Sequence, residues 1–256
     1  MPRKVDWIVS ETSVSARKTR QGPSWLVSVL ALAAFATLIA LGTWQVQRLF
    51  WKENLLGAIA ERTQGAPVAL DEVVRRKAAG EPVEYYKVTV TGEFDHNGEQ
   101  FFFATHQGRS GYFVYTPLAR SDGSLVFVNR GFVPLDFKDP ETRPEGQLEG
   151  EVTISGLVRE PLTEKPSWVV PDNDPEKNIF FWKDIAGLAK NAGLDRQKLL
   201  DIYVDADNTP VPGGLPEGGV TIIDLPNSHL QYAVTWYGLA LALAGVFAVR
   251  FFRRAR

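Results

Sequence analysis

The chain has 256 residues and a formal net charge of −2, a balance that gives no electrostatic reason to expect a nucleic-acid partner. It contains no cysteine, and its only methionine is the first residue. Disulfides, thiolate metal sites, covalent haem attachment through C-x-x-C-H and a cysteine nucleophile are therefore excluded, and a copper(I) carrier, which wants soft sulfur ligands, is disfavoured.

Residues 1–24 are polar, with Arg3, Lys4, Arg17, Lys18 and Arg20 set against Asp6 and Glu11. The segment reads as a cytoplasmic tail. It is a poor transit peptide, being neither clearly amphipathic nor free of acids. Residues 25–46, WLVSVLALAAFATLIALGTWQV, carry no charge. A hydrocarbon layer of ~30 Å takes ~20 apolar residues as a helix, so this run is expected to span. Ala34-Phe35-Ala36 matches a signal-peptidase pattern, but signal cores run to only ~7–15 residues and this one continues well past the cut.

Residues 47–228 are long enough for one external domain, expected in the periplasm. Trp51–Thr63 and Val68–Ala79 read as short helices. The second has Asp71 and Glu72 early and Arg75, Arg76 and Lys77 late, which suits the helix dipole. Strands follow at Tyr86–Thr91, which alternates cleanly, and at Gln100–Thr105, Gly111–Arg120, Ser124–Val133 and Glu151–Val158. Ser121-Asp122-Gly123 is a hairpin turn. Further strands are predicted at Asn178–Trp182, Asp201–Asp205 and Val220–Asp224, with a helix at Asp184–Asn191. Pro161–Pro175 and Thr209–Gly219 read as loops.

Residues 229–252 form a second membrane-length run, in which the stretch from Leu230 has Arg250 as its one charge. Residues 253–256 end the chain as a second short cytoplasmic tail. Basic residues flank both runs at their outer ends, which places both termini in the cytoplasm and the domain outside. The expected fold is a membrane-anchored α+β protein: two transmembrane helices flanking one external, mainly antiparallel β domain with short helices. Membrane lipid is then one obligatory partner.

Motifs for hydrolysis or nucleotide binding are missing: there is no G-x-S-x-G, H-E-x-x-H or P-loop. His96 and His106 lie next to turn residues and read as exposed loop histidines. Asp172-Asn173-Asp174 resembles part of a calcium loop but lacks its glycine and glutamate, and reads as a turn. Arg130 interrupts the apolar strand Val126–Pro134 and is better read as an ion-pair member than as a partner surface.

His229 is different. Pro226, Asn227 and Ser228 before it suit a helix start, and the positive end of the helix dipole disfavours imidazolium there. A neutral imidazole binds metal. At 100° per residue, Ala233, Trp236, Ala240 and Phe247 share its stripe, so a flat macrocycle could stack on Trp236. The same alanines could instead serve helix packing, and Trp236, Tyr232 and Tyr237 could be interfacial aromatics. At the same depth, the first span ends in Gly42-Thr43-Trp44-Gln45-Val46-Gln47-Arg48. Gln45 and Arg48 could face the second helix and meet haem propionates, or Arg48 could merely snorkel.

Taken together, GTWQVQR with Trp51 and Lys52, YKVTVTGEF (Tyr86–Phe94), GYFVYTPL (Gly111–Leu118), VFVNRGFVP (Val126–Pro134) and HLQYAVTWYG (His229–Gly238) resemble the surfeit locus 1 family over about Leu41–Phe252. Phe132 stands where many members have Trp. The resemblance implies an assembly factor for haem–copper cytochrome c oxidase, not an enzyme. It would assist insertion of haem a into subunit I, working with other oxidase assembly factors. In bacterial members haem a is thought to be held by a histidine corresponding to His229, which would be the iron ligand. Trp236, Tyr232, Gln45 and Arg48 would complete the cofactor site. A bacterial inner membrane is expected rather than the mitochondrial one. The rivals are a non-haem scaffold that stabilises oxidase assembly intermediates, and a periplasmic hydrolase with a base near a nucleophile in a sheet cleft.

Overall fold

The computed structural model describes residues 24–223 and 226–254, so most of the expected N-terminal tail, the last two residues and Asp224 lie outside it. The described residues divide into two compact units: those up to Lys52 together with those from Asn227 onward, and Glu53–Pro226.

Two helices make the first unit, α1 (Ser24–Gln64), which runs on past Lys52, and α4 (His229–Arg254). Each is long and apolar enough to cross a membrane, with mean hydropathy of 2.3 and 1.7 in its most apolar window. The sequence predicts a break near residue 46 and a separate helix from Trp51; the structure has one uninterrupted helix. The stretch QVQRLFWKENLL contains neither glycine nor proline and is rich in strong helix formers, so nothing stops the helix until Gly65-Ala66-Pro67. The first turn of α4 is closed by Tyr232 N–H donating to the Ser228 carbonyl at 3.2 Å. The buried Asn227 Oδ1 accepts no hydrogen bond, so the capping role open to this side chain is not filled.

Seven strands make the sheet of the second unit: β1 (Val68–Ala69), β2 (Lys87–Phe94), β3 (Gln100–His106), β4 (Arg109–Ala119), β5 (Leu125–Pro134), β6 (Glu151–Arg159) and β7 (Leu199–Ala206). Two short helices accompany them, α2 (Leu70–Ala78) and α3 (Ile185–Asn191). The order is β1-β2-β6-β7-β5-β4-β3, and β2 also pairs with β4 at Glu93–Ala119 and Phe94–Leu118. That pairing closes β2, β6, β7, β5 and β4 into a barrel, which removes the exposed edges an open sheet would present. Gly92 permits the closure: a Cβ there would lie 2.4 Å from the Ala119 carbonyl oxygen.

Most pairings are antiparallel, as the short turns predict. The exceptions are β1–β2 and β5–β7, which run parallel. Val68 and Ala69 therefore belong to a strand, and the predicted helix begins at Leu70. β5 is buried on both faces. Val126 and Val128 join the barrel interior, while Phe127 packs against α3 with Tyr115, Phe180 and Tyr203. This is why its sequence is apolar almost throughout rather than alternating.

Two predicted strands are not formed. Around Asn178–Trp182 there are two isolated bridges, Ile179 to Asp174 and Phe180 to Phe102 of β3. Residues 220–223 run as irregular chain, because both neighbours of β5 are taken and Gly218 and Gly219, the latter at φ +71°, turn the chain away after Glu217 bridges Phe132. The helix expected from Asp184 is present, with Asp184 as its cap accepting from Gly187 N–H at 3.0 Å.

Candidate functional site

The seam between α1 and α4 is written in both helices. On α1 the less exposed positions include Ala31, Phe35, Leu38, Gly42 and Gln45, spaced by four and three residues. On α4 the matching stripe is His229, Ala233, Trp236, Ala240, Leu243 and Phe247, with Ala233 and Ala240 almost wholly covered. Gly42 is required by contact: a Cβ would sit 2.8 Å from the Tyr237 ring. Beside it, the Thr43 and Tyr237 hydroxyls share a hydrogen bond of 3.1 Å.

One turn further along, His229 Nδ1 lies 2.7 Å from Gln45 Oε1. An amide oxygen only accepts, so Nδ1 carries the hydrogen, and in the neutral form of the ring the lone pair is on Nε2. Gln45 is buried. The bond therefore fixes the tautomer and the orientation of the imidazole, the arrangement expected of a metal-ligating histidine and its supporting group. Among the described residues no three His, Cys, Asp or Glu side chains gather as a metal site.

The other predicted site residues fall into two groups. Trp236 is half-buried on the His229 stripe. Tyr232 and Arg48 are exposed, each one turn from the His229–Gln45 pair on its own helix, and no hydrogen bond joins either to it. The Arg48 guanidinium lies 3.9 Å over the Trp51 ring. The donor set fits one axial imidazole ligand for haem. The seam just below it is packed shut at Ala233 and Ala240.

The second unit holds a different polar group. Glu99, Arg130 and Arg143 are all buried, and Glu99 binds both arginines: Arg130 Nη1 donates to Oε1 at 3.1 Å and Arg143 Nη2 donates to Oε2. Arg130 Nη2 also donates to the Gly146 carbonyl. His96 Nε2 donates to the Leu148 carbonyl at 2.8 Å, which leaves Nδ1 as the acceptor of the neutral ring. Gln147 completes the set. With its amide nitrogen toward His96 Nδ1 (2.7 Å) and Glu99 (3.2 Å), its oxygen accepts from Arg143 at 2.7 Å.

Burial works to raise the Glu99 carboxyl, but the hydrogen bond from Arg143 and the charges of Arg143 and Arg130 outweigh it and hold it below the ordinary glutamate value. Burial, aided by the Arg143 charge, pushes Arg130 down to about 10 despite Glu99. Arg130 is thus the ion-pair member the sequence favours. His96 is not the exposed loop residue expected: it is half-buried in this network. Glu99, Arg143 and Gln147 carry no local sequence signal, since each sits in loop-like sequence and meets the others only through the fold.

A cavity of about 300 Å³ adjoins Arg130, walled by Phe94, Val128, Leu148, Val152 and Ile154. Ser155 and Thr209 also line it, and no histidine does.

The SURF1 family model matches residues 32–241. Surfeit locus protein 1 from Rattus norvegicus is 38% identical over 264 residues, covering 96% of this chain and 82% of the rat protein. The protein of the same name from Xenopus tropicalis is 39% identical, covering 90% and 76%. That from Homo sapiens is 36% identical, covering 98% and 85%.

Proposed function

The chain belongs to the SURF1 family, and from that premise we propose that it is a membrane-anchored assembly factor for a haem–copper cytochrome c oxidase, not an enzyme. Residues 25–46 and 229–252 cross a respiratory membrane, both termini face the cytoplasmic side, and residues 47–228 lie outside. The partners are subunit I of the oxidase and other oxidase assembly factors. The cargo is haem a, which would supply an iron centre that accepts an imidazole nitrogen as axial ligand.

One observation carries the haem reading: His229 is held by Gln45 in the tautomer whose neutral form leaves Nε2 unprotonated, between two largely apolar helices. His229 is the ligand and Gln45 orients it. Trp236 would flank the ring system, while Tyr232 and Arg48 would meet its acidic groups. A single neutral ligand suits a donor, since a carrier that must pass its cargo on cannot hold it with the affinity of a two-ligand cage. The test is to co-produce the full chain with haem a synthesis and record the absorption spectrum of the purified protein. A Soret band that His229→Ala abolishes supports the assignment; a variant that keeps an unchanged band overturns it.

The second reading is a non-haem scaffold. It is favoured by the tight closure at Ala233 and Ala240, which is what plain helix packing requires, and by the exposed loop residues Trp168 (91%) and Val169 (68%), which suit docking to a protein partner. It predicts a colourless protein under the same conditions.

A further inference from the structure

At the end of the seam remote from His229 the two helices part. A cavity of about 450 Å³ lies between Ala31, Leu32 and Phe35 of α1 and Leu243, Ala244 and Phe247 of α4. Its size is in the ~300–1,000 Å³ range of small-molecule sites. Ser28 at its far edge is its only polar lining residue among the described residues, so neither a charged headgroup nor a porphyrin propionate suits it. What it suits is a hydrocarbon chain.

Its position narrows the choice of chain. Leu243, Ala244 and Phe247 lie within about 60° of His229 on the α4 helical wheel, so the cavity continues the same interhelical face. From His229 to Leu243 is fourteen residues, about 21 Å along the axis. Haem a differs from haem b in bearing a hydroxyethyl-farnesyl chain. At about 1.2 Å of advance per bond in an extended chain, that chain reaches about 15 Å, and the half-width of the porphyrin supplies the rest. Ala233 and Ala240 close the middle of the seam, so the chain would run along its flank before entering where the helices separate.

We propose that this cavity receives the isoprenoid tail of haem a and makes the protein selective for tailed haems. The inference rests on His229 being the haem ligand. It assigns the selectivity to residues far from the iron. A tail in lipid gains little from leaving it, because lipid chains are as apolar as the cavity wall. The preference must come from close packing along one fixed path, an effect worth about tenfold or more when a cavity fits one added hydrocarbon segment and not its absence.

The experiment compares haem b, haem o, which has the tail but not the formyl group, and haem a. Each is titrated into the full chain in nanodiscs and followed by the Soret band. Wild type should bind haem o and haem a about tenfold or more tighter than haem b. Ala244→Phe, which fills the cavity, should erase that difference while leaving haem b binding unchanged. Ala244→Val, a smaller change, guards against a variant that fails to insert. Equal affinity of wild type for haem b and haem o overturns the tail site and leaves the His229 reading standing. Failure of every haem to bind overturns both. Native mass spectrometry showing a phospholipid that haem o does not displace assigns the cavity to lipid and overturns the proposal.

Discussion

The two units bury polar groups in opposite ways. In the barrel, Glu99 meets two arginines, and Arg130, His96, Gln147 and the carbonyls of Gly146 and Leu148 absorb the remaining donors and acceptors. In the helix pair, His229 meets Gln45 through one nitrogen and keeps the other in reserve. In the first arrangement the charges are paired within the cluster. It pins the segment from Arg143 to Leu148 against β5, and its place in the molecule is explained by that alone. The second is half-satisfied, and an imidazole nitrogen at the end of an apolar seam is what a metal ligand needs. Burial of charge does not by itself mark function; the proposal of haem binding rests instead on a ring nitrogen left open in a held imidazole.

The largest test of this contrast is Glu99→Gln. The change is nearly isosteric but leaves Arg130 and Arg143 buried without a counter-charge. Breaking a buried pair in this way costs about 3–5 kcal/mol. Thermal unfolding of the full chain should show the β unit melting about 6–20 °C lower, at ~2–4 °C per kcal/mol for a domain of this size. Haem uptake below the melting point should not change. An unchanged melting temperature would mean the cluster is not the structural lock described, and would reopen Arg130 as a functional residue.

The same carboxylate gives a pH signature. Its folded pKa lies below the ordinary value of 4.5. The stability it adds is therefore fully present above about pH 4.5 and is lost as pH falls through the folded value. The difference in unfolding free energy between wild type and Glu99→Gln should be flat from pH 7 to 5 and shrink below about 4.5. A difference that persists at pH 3 would show that the effect is packing rather than charge.

Gln45→Leu tests the other side. It keeps the volume roughly constant and removes the acceptor that fixes the His229 tautomer. Supporting groups of metal-bound histidines are worth about 10–100-fold in affinity, so haem affinity should fall by that factor with the melting of the β unit unchanged. Affinity within twofold of wild type would show that His229 needs no orienting partner, and would favour the plain packing reading of the seam.

These two clusters were unequally visible in the sequence. His229 and Gln45 stand out because each is polar at the edge of a long apolar run, where the cost of burial makes any polar residue conspicuous. The strands β2, β4 and β5 are likewise legible, from the alternation at Lys87–Thr91 and the turn at Ser121–Gly123. The Glu99 cluster is not. Its members lie on a turn, a strand and a loop, separated by up to 52 positions between His96 and Leu148, and only barrel closure brings them together. The parallel pairing of β5 with β7 is hidden for the same reason, since it depends on a crossover that carries β6 and α3. The single long α1 could have been read, because the absence of any stop signal after Val46 was in plain view.

The smallest test concerns an exception within the barrel. The Tyr203 hydroxyl is fully buried and makes no hydrogen bond among the described residues, and burial holds it far above the usual phenol range. Its ring packs edge-on to Tyr115 at 5.5 Å between centroids, and the Lys183 ammonium lies 5.8 Å from its centre. If the barrel's buried polar groups are purely structural, this hydroxyl contributes nothing: removing a buried polar atom that has no partner is nearly neutral or stabilising. Tyr203→Phe should then change unfolding free energy by less than about 1 kcal/mol, toward greater stability. Retention of the ring keeps the aromatic contact, so a loss beyond that range could come only from the oxygen. Such a loss would show that the barrel, too, keeps a polar atom in use, and the division between a charge-paired domain and a half-satisfied seam would no longer hold.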